Sequence, residues 1–167
     1  MHNELTQKDI ELMRQELDYR RTVLRPKLIE DVQTARSFGD LSENFEYKAA
    51  KRDKNRNDSR CRYLENMIKT AVVISDQSKE GTVGLYDKVT FYVEEDDETV
   101  TCQIVTTMRQ DALKNLISKE SPVGRAVLGR RVGDRVTVQV NDSYSYDVVI
   151  QSIEPGEDTG EAPLVGF

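Results

Sequence analysis

Apolar positions Ile10, Met13, Leu17, Leu24, Leu28, Val32 and Ala35 recur at steps of three, four or seven through a stretch that lacks glycine from residue 8 to about 37. That spacing predicts an amphipathic helix. Thr6 stands where a cap would start it, and Pro26 removes one backbone donor, which predicts a kink or local adjustment near the middle. After the break at Phe38-Gly39-Asp40 a second periodicity runs through Tyr47, Ala50, Lys54, Asn57, Cys61, Leu64, Ile68 and Ala71, the seam of a heptad pattern. Two long helices joined by a few residues run antiparallel, so the first half reads as a helical hairpin on the order of 40 Å long. Folding the seams together sets Leu28 near Lys54 and Met13 near Ile68. Its middle and distal seam is polar, and Lys54 is expected to be met by Glu30 or Asp31.

Beyond residue 73 the period falls to two. Val89, Phe91 and Val93 alternate with polar residues, as do Val100, Cys102 and Ile104, then Val136, Val138 and Val140, then Val148 and Ile150. The acidic run Glu94 to Glu98 and Asn141-Asp142-Ser143 read as hairpin loops. Between the strand pairs, Ser121-Pro122 has the form of an N-cap followed by proline at the first helical position, with Gly129 at the far end. The fold class is therefore α+β: a coiled-coil hairpin over residues 1–73, a small domain over 74–154 with a mostly antiparallel sheet and one short helix, and an acidic flexible tail over 155–167, whose last apolar residues could dock locally.

Composition narrows the chemistry. A chain of 167 residues with two separated cysteines and one histidine offers neither a disulfide framework nor a zinc cluster. No apolar run approaches the roughly 20 residues of a membrane span, and the start has no signal-like core, so a soluble cytoplasmic protein is expected. The net charge of -6 is unevenly spread: residues 1–73 hold 15 Lys/Arg against 13 Asp/Glu, and residues 74–167 hold 9 against 17. Residues 48–62 alone carry seven basic side chains against Asp53 and Asp58. This stretch suits an acidic surface or nucleic acid, or equally a solvated helix face.

The hairpin tip carries the candidate chemistry. Asp40 and Glu43 fit a capping box, with Asp40 at the N-cap. Alternatively Ser42 is the cap, leaving both carboxylates to project from the distal end. Two carboxylates at short spacing suit Mg2+, a hard cation that keeps most of its waters and takes one or two protein carboxylates.

The stretch "GDLSENFEYKAAKR" at 39–52 closely resembles the tip motif of the bacterial Gre transcript-cleavage factors, and "ISKESPVGRAVLGRRVGD" at 117–134 is similar to their C-terminal signature. The resemblance implies an arm that enters the secondary channel of RNA polymerase and a globular domain similar to the FK506-binding-protein fold that docks at its rim. It further implies stimulation of polymerase's own cleavage of backtracked RNA. Asp40 and Glu43 would then be the catalytic pair, helping to hold a second Mg2+ shared with polymerase and the attacking water. Gly39, Leu41, Ser42, Asn44 and Tyr47 match the motif as residues that shape the tip or contact the channel. Lys48, Lys51 and Arg52 would meet RNA or polymerase, and Ser121 and Pro122 are weaker docking candidates. The expected partners are RNA polymerase and the nascent RNA 3′ end, with no specific DNA site, no membrane, and a monomer when free. The protein would supply residues in trans and would be no enzyme alone. Phe45 and Lys48 depart from the family pattern, leaving the subtype open. The alternatives are a channel regulator that does not cleave, a coiled-coil interaction protein, or, from fold alone, a prolyl isomerase.

Overall fold

The computed structural model describes residues 3–39, 44–77 and 79–166. The chain divides into two compact units: Ile10–Ala71, and the residues up to Asp9 together with Val72–Gly166. The first residues sort with the globular unit because β1 (Glu4–Leu5) pairs in parallel with β2 (Val72–Val73), Glu4 opposite Val72 and Leu5 opposite Val73.

Helix α1 (Gln7–Tyr19) starts at a reciprocal cap. The Asp9 amide donates to the Thr6 hydroxyl (3.2 Å), and the Thr6 amide donates to the Asp9 carboxylate (2.9 Å). A five-residue π segment (Arg20–Leu24) links it to α2 (Arg25–Arg36), with the Arg25 amide donating to the Arg20 carbonyl five residues back. This is the adjustment that Pro26 demands. In α geometry its ring would clash with the Thr22 carbonyl and its nitrogen could donate nothing; a widened turn just upstream relieves both.

Helix α3 (Phe45–Thr70) returns antiparallel to α2, as the helical hairpin expected. Met13 and Leu64 are fully buried, with Leu17, Val32, Ala35, Cys61 and Met67 nearly so. Polar groups do enter the middle of the seam, as the pattern implied. Asn57 is buried, accepting from Arg20 Nη1 at 2.9 Å and donating to the Arg20 carbonyl at 3.3 Å. Buried Arg60 forks onto Glu16 at 2.9 and 3.1 Å. Partial burial alone would raise the Glu16 carboxyl, but Arg60 and Arg20 outweigh it and hold it below its ordinary value. One expected pairing is corrected. Lys54 bonds Asp58 one turn along its own helix at 3.0 Å, not Glu30 or Asp31 across the hairpin, and Asp58 in turn takes Arg25 at 3.1 Å. The i, i+4 neighbour is reached with no cross-helix span to bridge.

In the globular unit β3 (Lys88–Val93), β4 (Glu98–Val105), β5 (Leu116–Ser118), β6 (Arg135–Gln139) and β7 (Ser145–Glu154) form one sheet in the order β5-β4-β3-β7-β6. All neighbours are antiparallel except β5, which lies parallel to β4. The alternating positions Val89, Phe91, Val93, Cys102, Ile104, Val136, Val138, Val148 and Ile150 all lie in the buried core; Glu94 to Asp97 of the acidic run form one hairpin loop, with Glu98 opening β4, and the Asn141-Asp142-Ser143 stretch falls in the other. Val140, read as a strand position, lies past the end of β6 and is 42% exposed. The short helix α4 (Pro122–Val127) begins where Ser121 and Pro122 placed it, and Gly129 follows with φ +80°. Gly124 sits on α4 because the helix presses against the chain before it: a Cβ there would lie 2.1 Å from the Ser118 carbonyl oxygen.

The segment expected to be a flexible tail is instead docked on this unit. Gly156 donates its amide to Asp87 (3.0 Å), Val165 donates to the Met108 carbonyl (2.7 Å), and the Asp158 side chain is buried against Arg109. A buried guanidinium needs carboxylates, which overrides the disorder that Gly, Pro and acid composition favours.

Candidate site at the hairpin tip

Helix α2 ends at Arg36, with the Ser37 and Phe38 amides donating back to the Thr34 and Ala35 carbonyls at 3.1 and 3.2 Å. Gly39 follows at φ +115°, backbone that a side chain strains. Asp40, Leu41, Ser42 and Glu43 lie outside the described residues.

The chain re-enters at Asn44, which closes the hairpin with both ends of one amide. Its Oδ1 accepts the Tyr47 amide at 2.9 Å, and its Nδ2 donates to the Ala35 carbonyl of α2 at 2.7 Å. Asn44 is thus the N-cap of α3, with φ −85° and ψ 95°. This corrects both cap expectations. Neither Asp40 nor Ser42 fills the cap position; α3 starts at Phe45, later than either reading placed it. The signal for Asn44 was present, since Asn ranks with Asp and Ser as a cap.

Around this joint the aromatic and basic residues are paired on the surface. The Arg36 guanidinium lies 5.5 Å from the Tyr47 ring centroid and the Lys51 ammonium 6.0 Å. The Arg36 hydrogen bond, with the nearby Lys51 charge, holds the Tyr47 hydroxyl below its usual value. Lys48 lies over the Phe45 ring at 5.6 Å. Phe38 and Phe45 are 66% and 79% exposed, on either side of the tip. Lys48, Lys51 and Arg52 continue down α3 into a shallow groove with Asn55, Arg56 and Ser59, so the three predicted basic contacts share one surface.

Ser121 and Pro122 belong to the other unit. The Ser121 hydroxyl accepts the Gly124 amide at 3.0 Å and donates to the Ser118 carbonyl at 2.7 Å, so it has a structural duty whatever else it does. Among the described residues no three His, Cys, Asp or Glu side chains converge as a metal cluster, and no helix is long and apolar enough to cross a membrane. Sequence reasoning placed Asn57 in a polar seam but missed its partner Arg20 and the Glu16–Arg60 pair. It also missed buried Arg109, which had no periodic or motif context to mark it.

Residues 3–73 match the family model "Transcription elongation factor, N-terminal", and residues 77–155 match "Transcription elongation factor, GreA/GreB, C-term". Transcription elongation factor GreA of Geobacillus kaustophilus is 45% identical over 136 residues, covering 81% of this chain and 86% of that protein. The protein of the same name from Staphylococcus epidermidis is 38% identical over 150 residues, covering 90% and 95%. Among solved structures, that of the transcription factor Gfh1 is 26% identical with a TM-score of 0.44, covering 91% of this chain and 97% of that one.

Proposed function

Because this chain belongs to the GreA/GreB family of transcription elongation factors, we propose that its helical arm enters the secondary channel of RNA polymerase and stimulates cleavage of backtracked nascent RNA. The observation that supports this is the cap. Asn44, which accepts the Tyr47 amide, is the N-cap of α3, so the cap position is filled by a residue other than the two carboxylates of the tip motif. We assign that pair, Asp40 and Glu43, to the metal chemistry instead.

Two carboxylates are a donor set of hard oxygens, which fits Mg2+ and is too small to hold it tightly alone. When bound between this pair and polymerase, the ion would supply the second centre of a two-metal phosphodiester hydrolysis. Asp40 and Glu43 are assigned as its ligands from this chain and as the groups that orient the attacking water. Lys48, Lys51 and Arg52 offer positive charge to the extruded RNA or to acidic channel walls, which is attraction at distance and not readout of sequence. Gly39, Leu41, Ser42, Asn44 and Tyr47 shape the tip, and Ser121 and Pro122 lie on a surface assigned to docking. The factor is not an enzyme by itself: the reaction is polymerase's, and this chain completes its site.

A stalled, backtracked elongation complex with Mg2+ tests the reading. Addition of the protein should accelerate release of short RNA 3′ fragments. Asp40→Ala and Glu43→Ala should each reduce the acceleration by at least about a hundredfold, the scale for losing a group that acts in the transition state. Both variants should still compete with the native protein for polymerase. Undiminished cleavage by both would overturn the assignment.

A further inference from the structure

Arg109 follows β4 on a single turn of 3-10 helix and is fully buried, yet it belongs to no motif. Its Nη1 reaches Asp9 at 3.3 Å. That carboxylate is already committed, since its other oxygen accepts the Thr6 amide and the Thr106 hydroxyl at 2.9 and 2.7 Å. The rest of the guanidinium is turned to the C-terminal segment. Nη1 and Nη2 each meet one oxygen of Asp158 at 2.9 Å, Nε donates to the Ala162 carbonyl, and the Tyr86 ring lies against the cation at 5.7 Å. A planar fork facing both oxygens of one carboxylate is the geometry for which arginine is selective.

The segment that fills this fork is fastened mainly at polar points. Asp158 also accepts from the Thr6 hydroxyl at 3.3 Å, the Gly156 and Val165 amides donate to Asp87 and to the Met108 carbonyl near its two ends, and Ala162 packs at the edge of the core. Between it and the sheet remains a cavity of about 410 Å³, lined among others by Tyr86, Lys88, Gln103 and Leu116. An element fastened at polar points over unfilled space opens at lower free energy than a packed core strand. It also follows residue 155, the last that the C-terminal family model matches. When it lifts, Arg109 loses its bidentate partner and a buried cation faces outward.

We propose that Arg109 is the centre of a carboxylate socket for an acidic peptide segment of a partner protein, kept shut by this chain's own residues 156–165. The tail is the template for that partner: a carboxylate for the fork, a carbonyl for Nε, and amides for Asp87 and the Met108 carbonyl. Tethering gives the tail an effective concentration in the millimolar range, so a free peptide competes poorly until the latch is weakened. This is independent of metal chemistry at the hairpin tip.

The test uses the full chain and a labelled synthetic peptide of residues 155–166, followed by fluorescence anisotropy. Asp158→Ala should bind the peptide at least about tenfold more tightly than the native chain, and a peptide with Asn in place of Asp158 should bind at least about tenfold more weakly, the range for one charge-assisted fork. Equal binding of the two peptides, or none to the variant, would overturn the proposal. A second measurement covers the case in which the variant fails to fold. In the native chain, hydrogen exchange at the Gly156 and Val165 amides should be at least about a hundredfold faster than at Ile104 and Ile150. Tail amides that exchange no faster than those core amides would show a latch that never opens, and the socket would have no ligand but its own.

Discussion

At the scale of single residues, Asn44 does the work that the sequence reading gave to Asp40 or Ser42. Asp40, Ser42 and Asn44 have nearly equal intrinsic value as N-caps, so local preference could not choose among them. The choice falls to Asn44, whose amide has a donor as well as an acceptor and reaches the Ala35 carbonyl of the opposite helix at 2.7 Å. Asn44→Ala removes both bonds and should cost about 1 kcal/mol, lowering the hairpin's melting temperature by about 4–8 °C in a far-ultraviolet circular dichroism melt. Asn44→Asp keeps the acceptor for Tyr47 and gives up the donor, so it should fall between the two. A melting curve for Asn44→Ala that overlays the native one would remove the cap from the account of the tip.

Among elements, the π segment Arg20–Leu24 is the most informative. Seven-residue spacing from Leu17 to Leu24 hides a change of phase, which Pro26 and the step of four repeated through Leu24, Leu28 and Val32 announce. Sequence reading could say that something must give near Pro26, but a kink, a water insertion and a widened turn all satisfy that demand. Packing decides, because Leu17 upstream and Val32 downstream are both buried in the same arm and the widened turn serves both. Deleting Val23, which is 56% exposed, should convert the segment to α-helix but leave Pro26 inside the helical ladder, at a cost of about 3 kcal/mol. Combining the deletion with Pro26→Ala should recover most of that loss with native helicity at 222 nm. If the double change is no more stable than the deletion alone, proline is not what the π turn accommodates.

Over the whole chain, of net charge -6, the charge is unevenly spread: α3 carries a basic stretch, and residues 74–167 hold an excess of acid. The basic stretch draws an acidic partner surface before contact and loses its effect as salt shortens the screening length to about 8 Å at physiological strength. Replacing Lys48, Lys51 and Arg52 together with alanine should therefore slow association with polymerase by about tenfold at low salt, as read by stopped-flow fluorescence, and flatten its salt dependence. An unchanged salt slope would return these residues to the solvated face that charge alone also allows.

Periodicity and turn chemistry were enough for the hairpin, the two strand pairs, the capped α4 and the class, because each rests on residues close in sequence: a seam every three or four positions, alternation every two, Ser-Pro before a short helix. The two motifs were local too, and pointed to the family before any geometry was known. What only the tertiary structure decided are the contacts made between distant parts of the chain. The cap of α3 depended on a carbonyl nine residues away, the parallel pairing of β5 with β4 on a crossover, and the docking of an acidic tail on one buried cation at position 109. Burial makes a charge find its partner wherever the fold brings one, and no spacing along the chain records where that will be.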